Sequence, residues 1–229
     1  MTNMTREQNI LALETSNASA SLCLFSEGKE VFAAEWTAER SHNSRIFDIL
    51  KKAETILYQY KPDLILVGAG PGSYSGIRVS LAVADGLGLV YGAPVVAVNS
   101  WEALPHEGRD TLVLSDARRG GWALGYLTRG KWTGDLVIAT REEAIAALET
   151  AKKEDLSLLS SESKEKLEAC GWSDFEADSR PKAENLIHSW NSKTIEEQSV
   201  LRNTPLSPLY VREPNITPAK RAAWQKGQA

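Results

Sequence analysis

The chain has 229 residues, 42% apolar and 24% charged, enough for one large domain or two small ones with a real core. Its net charge of −4 gives no overall pull toward nucleic acid or an anionic membrane. Cys23 and Cys170, far apart in sequence, exclude a disulfide framework or a cysteine metal knuckle and suit a reducing cytosol. The polar start, Met1 to Asn9, does not read as a signal peptide. Asp or Gly breaks the apolar runs before they could span a bilayer. A cytoplasmic protein with no membrane partner is expected.

Asn9 to Thr15 is a continuous apolar run, short enough for a buried strand. Ala18 to Phe25 and Glu30 to Trp36 follow as strands, with Ser26 to Lys29 as a turn between them. Ser41 is a plausible N-cap for a helix reaching Tyr60, because Ile46, Ile49, Leu50, Ala53, Ile56 and Leu57 keep the helical rhythm. Leu64 to Val67 is wholly apolar, hence a parallel strand buried on both faces. A glycine-rich turn leads to a helix over about Ser75 to Tyr91, and Pro94 to Val98 is a fifth strand. A strand meander followed by alternating helices and strands makes a mixed sheet with helices on its faces. The same order builds the repeated half of the actin, hexokinase and Hsp70 superfold.

His106 to Asp110 reads as a polar link between domains. Thr111 to Leu114, Gly121 to Thr128 and Lys131 to Ala139 are predicted strands. A helix over Arg141 to Thr150, a strand over Leu156 to Leu159, and helices over Lys164 to Ala169 and Pro181 to Trp190 complete the series. This second β-β-β-α-β-α series is a smaller, degenerate copy of the first. The expected organisation is an N-terminal lobe over 1–105, a C-terminal lobe over 106–204 and an extended tail over 205–229.

The turn holds Gly68, Gly70, Gly72 and Gly76 between a buried strand and a helix start. Backbone N–H groups and a helix dipole there suit an anion. A P-loop would need Lys after Gly76, where Ile77 and Arg78 stand. A dinucleotide fingerprint would need Gly at position 75, which is Ser75. The bland reading is a tight turn. The following helix is apolar on nearly every side, so it must be covered all round. A sheet covers one face only; a neighbouring helix or a partner chain must cover the other. Gly86 and Gly88 each cost roughly 1 kcal/mol against Ala inside a helix, which makes sense where another backbone comes close. Full burial inside one chain is the competing reading.

Gly70-Pro-Gly-Ser-Tyr-Ser-Gly-Ile-Arg78 and its apolar helix resemble the signature of the TsaB (YeaZ) family. Ile10 to Ser16, Ser41-His-Asn-Ser44, Ser115 to Gly120 and Pro208-Leu-Tyr-Val-Arg212 resemble further segments of that family, in its order. The resemblance implies an α/β, two-lobed actin-like (ASKHA) fold. It implies a non-catalytic subunit of the bacterial machinery that makes threonylcarbamoyladenosine beside the tRNA anticodon. Such a subunit pairs with the catalytic paralogue TsaD, is joined by the ATPase TsaE, forms a homodimer when alone, and meets tRNA through the complex. The surface offered is His42, Arg45, Ile46 and Ile49 on the first helix, with Tyr74, Ile77, Val79, Val83, Leu87 and Val90 on the second.

No catalytic group and no metal ligand set is expected. His42 is followed four residues on by Ile46, not by the second His of the paralogue's metal pair. Glu14 stands where actin-like ATPases have Asp, and the late glycine pair that clamps adenosine is missing. No cofactor is expected in the isolated chain, and the amides of Gly70, Gly72 and Ser73 offer a contact for ATP or ADP at the interface with TsaD. Asp116, Arg118 and Arg119 form a charged turn or an interlobe contact. The tail carries Arg212, Lys220, Arg221 and Lys226 against Glu213; it is solvated or touches tRNA phosphate. A second function class stays open: a degenerate actin-fold ATPase, kinase or peptidase acting by itself, supported by the glycine turn and Glu14. Trp122, Trp132, Trp172 and Trp190 have no assigned role.

Overall fold

The short link Thr15 to Ala18 lets the first two apolar runs fold back on each other as an antiparallel hairpin. A computed structural model describes residues 9–37, 43–134 and 136–212. Strands β1 (Asn9–Glu14), β2 (Ser19–Ser26) and β3 (Lys29–Thr37) form the meander. After helix α1 (Asn43–Gln59), strand β4 (Leu64–Gly68) returns parallel to β1. After helix α2 (Tyr74–Tyr91), strand β5 (Val95–Val98) lies parallel to β4. The sheet order is β3-β2-β1-β4-β5. Strand β4 is buried along its whole length between two parallel neighbours, which is why its sequence does not alternate.

The second sheet repeats this plan with fewer parts. Strands β6 (Thr111–Asp116) and β7 (Trp122–Thr128) form the hairpin. The expected strand Lys131 to Ala139 is two short pieces, β8 (Lys131–Trp132) and β9 (Val137–Ala139), both paired to β7. Helix α3 (Arg141–Lys153) leads to β10 (Ser157–Ser160), parallel to β6. In the order β10-β6-β7-β8, no strand among the described residues stands where β5 stands in the first sheet. This is the two-lobed actin-like arrangement with a reduced second lobe.

Alternation along β1 sorts its side chains between two cores. Leu11 and Leu13 face α1 and α2, packing with Ile46, Ala53, Leu57, Ile77 and Leu81. Ile10 and Ala12 face the opposite side. That side is covered by helix α5 (Ala183–Ser192), through Ala183, Leu186, Ile187 and Trp190. Helix α6 (Ile195–Asn203), absent from the sequence reading, follows and adds Leu201. The sequence assigns residues 106–204 to one lobe; packing divides them. After helix α4 (Lys164–Cys170) the chain returns to the first sheet, whose second face would otherwise be bare. Lys182 is the residue before α5, so Pro181 precedes the helix instead of occupying its first turn. No helix among the described residues is long and apolar enough to cross a membrane.

The described tryptophans lie in the cores or pack against them. Trp122, Trp172 and Phe175 stack edge to face beneath α3, with the Arg141 guanidinium over Trp172. Trp101 and Trp132 meet at the inner face of the second sheet. Trp190 is fully buried on the first.

The lobes are joined at the 3-10 turn Ser100–Ala103. Glu102 is buried there and ion-paired to Lys193 at 2.5 Å, with both side chains 6% exposed. Its carboxylate also accepts from the Ser189 hydroxyl and from the Trp132 backbone N–H at 3.0 Å. One side chain thus ties the link, the end of α5 and the second sheet. Removing one partner of a buried pair leaves the other charge unsatisfied and costs about 3–5 kcal/mol. Glu102→Ala is expected to lower unfolding free energy by about that amount in urea titrations; an unchanged midpoint would show that the pair contributes nothing.

Candidate functional site

A cleft of about 720 Å³ opens between the two sheets. Five segments line it: Ser16–Ala18, Gly72–Ser75, Ser115–Arg119, residues 161–162, and Tyr210–Arg212. The sequence singled out the second and third of these. Asn17 and Ala18 went unmarked because a two-strand link carries no chemical signature, and Ser16 was marked only as the end of a motif. Tyr210 was marked only as part of a motif, and Arg212 as part of that motif and of the basic tail.

The glycine turn is held in place by close backbone approach. Ser73 N–H donates to Ser16 O at 2.6 Å, and the Thr15 hydroxyl donates to Gly76 O at 2.7 Å. A Cβ at Gly72 would strike Ser16, and one at Gly76 would strike Thr15 O. These glycines exist for contact. Ser73 caps α2 by accepting from Gly76 N–H at 3.4 Å. Gly70 sits apart from the cleft. Its N–H donates to the Ser100 hydroxyl at 3.0 Å, and a Cβ there would meet Ile77 and Leu209 O. Of the three amides proposed for a nucleotide contact, those of Gly70 and Ser73 already donate within the fold, to the Ser100 hydroxyl and to Ser16 O, while Gly72 and Ser73 line the cleft.

Glu14 does not reach the cleft. It is fully buried against Gly68, where its carboxyl fills the space a Cβ would need. Oε1 accepts from Ser16 N–H at 2.6 Å, while Oε2 has no hydrogen-bond partner. Burial pushes this carboxyl up from its ordinary value, only partly offset by Ser16, Ser100 and Thr15. A carboxyl sealed this way suits a proton better than a metal.

On the opposite wall Lys166 holds two carboxylates, Asp116 and Glu162, each at 2.7 Å. Asp116 N–H donates to Glu162, and Arg118 N–H to Asp116 at 2.6 Å. Burial raises the Asp116 carboxyl, but Lys166 and Arg118 outweigh it and hold it below its usual range. Asp116 is thus paired inside its own lobe. The contact that crosses between segments is Arg212, whose Nε donates to Ala117 O at 2.8 Å. Residues 206–212, expected as an extended tail, run as a strap. Leu206 packs on the first core, Leu209 N–H donates to Ala69 O at 2.7 Å, and Val211 packs on the second lobe. Tyr210 stacks on Tyr74 at 4.9 Å, and Arg78 caps Tyr74 from the same helix.

The proposed partner surface divides on inspection. Ile46, Ile49 and Ile77 are core residues beneath the helices, and Val79, Val83 and Leu87 are half-buried against that core. All six hold α1 and α2 to the sheet; Ile46, Ile49 and Ile77 offer no surface in the single chain, while Val79, Val83 and Leu87 keep part of theirs. Arg45, Tyr74 and Val90 are exposed. His42 and the cap Ser41 lie outside the described residues, as do Lys220, Arg221 and Lys226 of the tail. Large apolar exposure falls instead on Phe47 (62%) and Tyr58 (90%) of α1 and Leu89 (82%) and Val90 (74%) of α2. The sequence missed Leu89 because α2 is apolar on all sides and its pattern names no outward face, and it missed Phe47 and Tyr58 because they fall outside the apolar rhythm of α1. The two helix glycines separate as well. Gly88 admits β5, since a Cβ there would strike Val95, whereas Gly86 faces open space.

The model of the TsaD family, described as tRNA N6-adenosine threonylcarbamoyltransferase, matches residues 36–173. The tRNA threonylcarbamoyladenosine biosynthesis protein TsaB of Haemophilus influenzae is 29% identical over 134 residues, which are 55% of this chain and 56% of that protein. TsaB of Bacillus subtilis is 32% identical over 117 residues, 48% of this chain and 51% of that protein. The chain spans about half the length of these curated relatives. Among solved structures, YeaZ from Pseudomonas aeruginosa superposes with a TM-score of 0.65 at 21% identity, covering 89% of this chain and 99% of that one. A second Pseudomonas aeruginosa protein, described as similar to the peptidase YEAZ, gives 0.67 at 21% identity over 90% of this chain and 100% of its own.

A raised carboxyl favours the fold where it stays protonated. The Glu14 contribution is full below about 4.5 and is lost as pH rises through the higher folded value. Glu14→Gln, which cannot ionise, is expected to gain stability over the parent as pH increases from 4 to 8 in matched urea titrations. A parallel offset at all pH values would show that Glu14 ionises freely in the fold.

Proposed function

The chain belongs to the TsaB (YeaZ) family, and from that membership we propose that it is a non-catalytic subunit for threonylcarbamoyladenosine formation in tRNA, pairing with TsaD through α1 and α2. The observation that carries this reading is the exposed apolar set Phe47, Tyr58, Leu89 and Val90, together with Gly86 of α2, which faces open space. Exposed apolar side chains on two helices that cover the same face of the sheet mark a site of protein contact. The open Gly86 lets a partner's backbone approach α2 closely. The same face serves a homodimer when the chain is alone. TsaE joins the pair, and tRNA is met through the assembly. The burial of Glu14 away from the cleft supports a non-catalytic role, since it removes from the cleft the one carboxylate the first strand could offer.

Leu89→Arg places a charge among these exposed residues without touching the core. It is expected to abolish co-elution with a TsaD paralogue in size-exclusion chromatography while leaving the thermal melt of the free chain in place. Intact co-elution of the variant would overturn the assignment of this face. A parallel variant at the half-buried Leu87 should instead lower the melt, because Leu87 packs on the core.

A further inference from the structure

The outward side of α2 does not stop at the helix. Tyr74, Arg78, Ala82, Asp85 and Leu89 are all exposed, and their spacing of three and four residues sets them in one line along the helix. That line runs about 22 Å. At its first end Tyr74 stacks on Tyr210 of the strap, with ring centroids 4.9 Å apart. Arg78 donates to the Tyr74 hydroxyl and lies over the same ring. We propose that a partner helix seated along α2 also packs on Tyr210, so that pairing grips the strap and, through it, the setting of the two lobes. The inference rests on α2 being the face that pairs with TsaD.

The residues along the line state what such a helix carries. Ala82 and Gly86 are small, and a Cβ at Gly86 would meet nothing within 4 Å, so another helix can lie close at mid-length. Leu89 offers apolar contact at the far end. Among the described residues, Arg78 has no carboxylate within ion-pair reach. A charge left this way at the edge of an apolar surface selects a partner of opposite sign. The complement is an apolar helix with a small residue facing Ala82 and a carboxylate set for Arg78. The strap is fastened on both sides of the Tyr210 contact. Leu206 packs on the first core and Val211 on the second lobe. Leu209 N–H donates to Ala69 O at 2.7 Å, and Arg212 Nε to Ala117 O at 2.8 Å. Tyr210 sits half-buried between these anchors. A partner that covers it holds a segment tied to both lobes, and such coupling is reciprocal.

Hydrogen exchange of the full chain, free and with a TsaD paralogue, tests this. The Leu209 amide is expected to exchange about tenfold more slowly in the pair. Arg78→Glu and Tyr210→Ala are each expected to weaken pairing about tenfold or more, while Tyr210→Phe, which keeps the stacked ring, pairs as the parent does. Arg78 is exposed, so its variant reads the surface even if Tyr210→Ala lowers the melt. Pairing unchanged in both Arg78→Glu and Tyr210→Ala, or an unchanged Leu209 exchange rate, overturns the proposal. Slowing that accompanies self-association of the chain but not pairing with the paralogue overturns it as well. Leu89→Arg separates the two failures. If it abolishes pairing while the strap variants do not, α2 remains the face and the strap falls out of it; if it leaves pairing intact, the face itself is wrong.

Discussion

Glu102 is a carboxylate taken out of water at the point where the chain passes from one sheet to the next. A charge in that position is tolerable only if donors surround it, and here they come from three directions: Lys193, the Ser189 hydroxyl and the Trp132 amide. Ser189 and Lys193 lie at the end of α5, which is seated on the first sheet, and Trp132 belongs to the second. Satisfying one side chain therefore fixes how the linker, the returning helix and the second lobe meet. The cleft exists because these parts are held at that setting, with the strap residues 206–212 crossing from one lobe to the other.

Local physics accounts for much of what the sequence showed. The β1–β3 meander, the non-alternating β4 and the glycine turn before α2 each follow from patterns within a few residues. The reduced second lobe was visible as a shorter strand-helix series. What could not be read are the pairings across long separations. Glu102 and Lys193 are 91 residues apart, and nothing near either marks it as half of a buried pair. Helix α5 was recognisable as a helix, yet its partner sheet was not, because an apolar stripe does not name what it covers.

The candidate surfaces show the same division. A helix apolar on every side declares that it needs cover but leaves open which side the sheet supplies. Only the fold separates Ile77, sealed beneath α2, from Leu89 and Val90 on its outside. Glu14 is a similar case. Its place at the end of β1 suggested chemistry, and its surroundings instead make it a plug behind Gly68. The cleft, by contrast, was half legible: the glycine turn and the Asp116–Arg119 hairpin stood out, while Ser16 and the seat of Tyr210 and Arg212 emerged only in three dimensions.

The seating of α5 on the first sheet bears on how the chain is made. The N-terminal strands emerge from the ribosome early, with α1 and α2 ready to cover one side of them. Ile10, Ala12, Cys23, Leu64 and Leu66 on the other side wait for Ala183 to Trp190. Domains that fold as they emerge usually close behind the growing point; this one stays open on that side until residues 183–190 have been translated. During that interval a bare apolar sheet face is presented to the cell, and the later-made helix α5 acts as its closing lid.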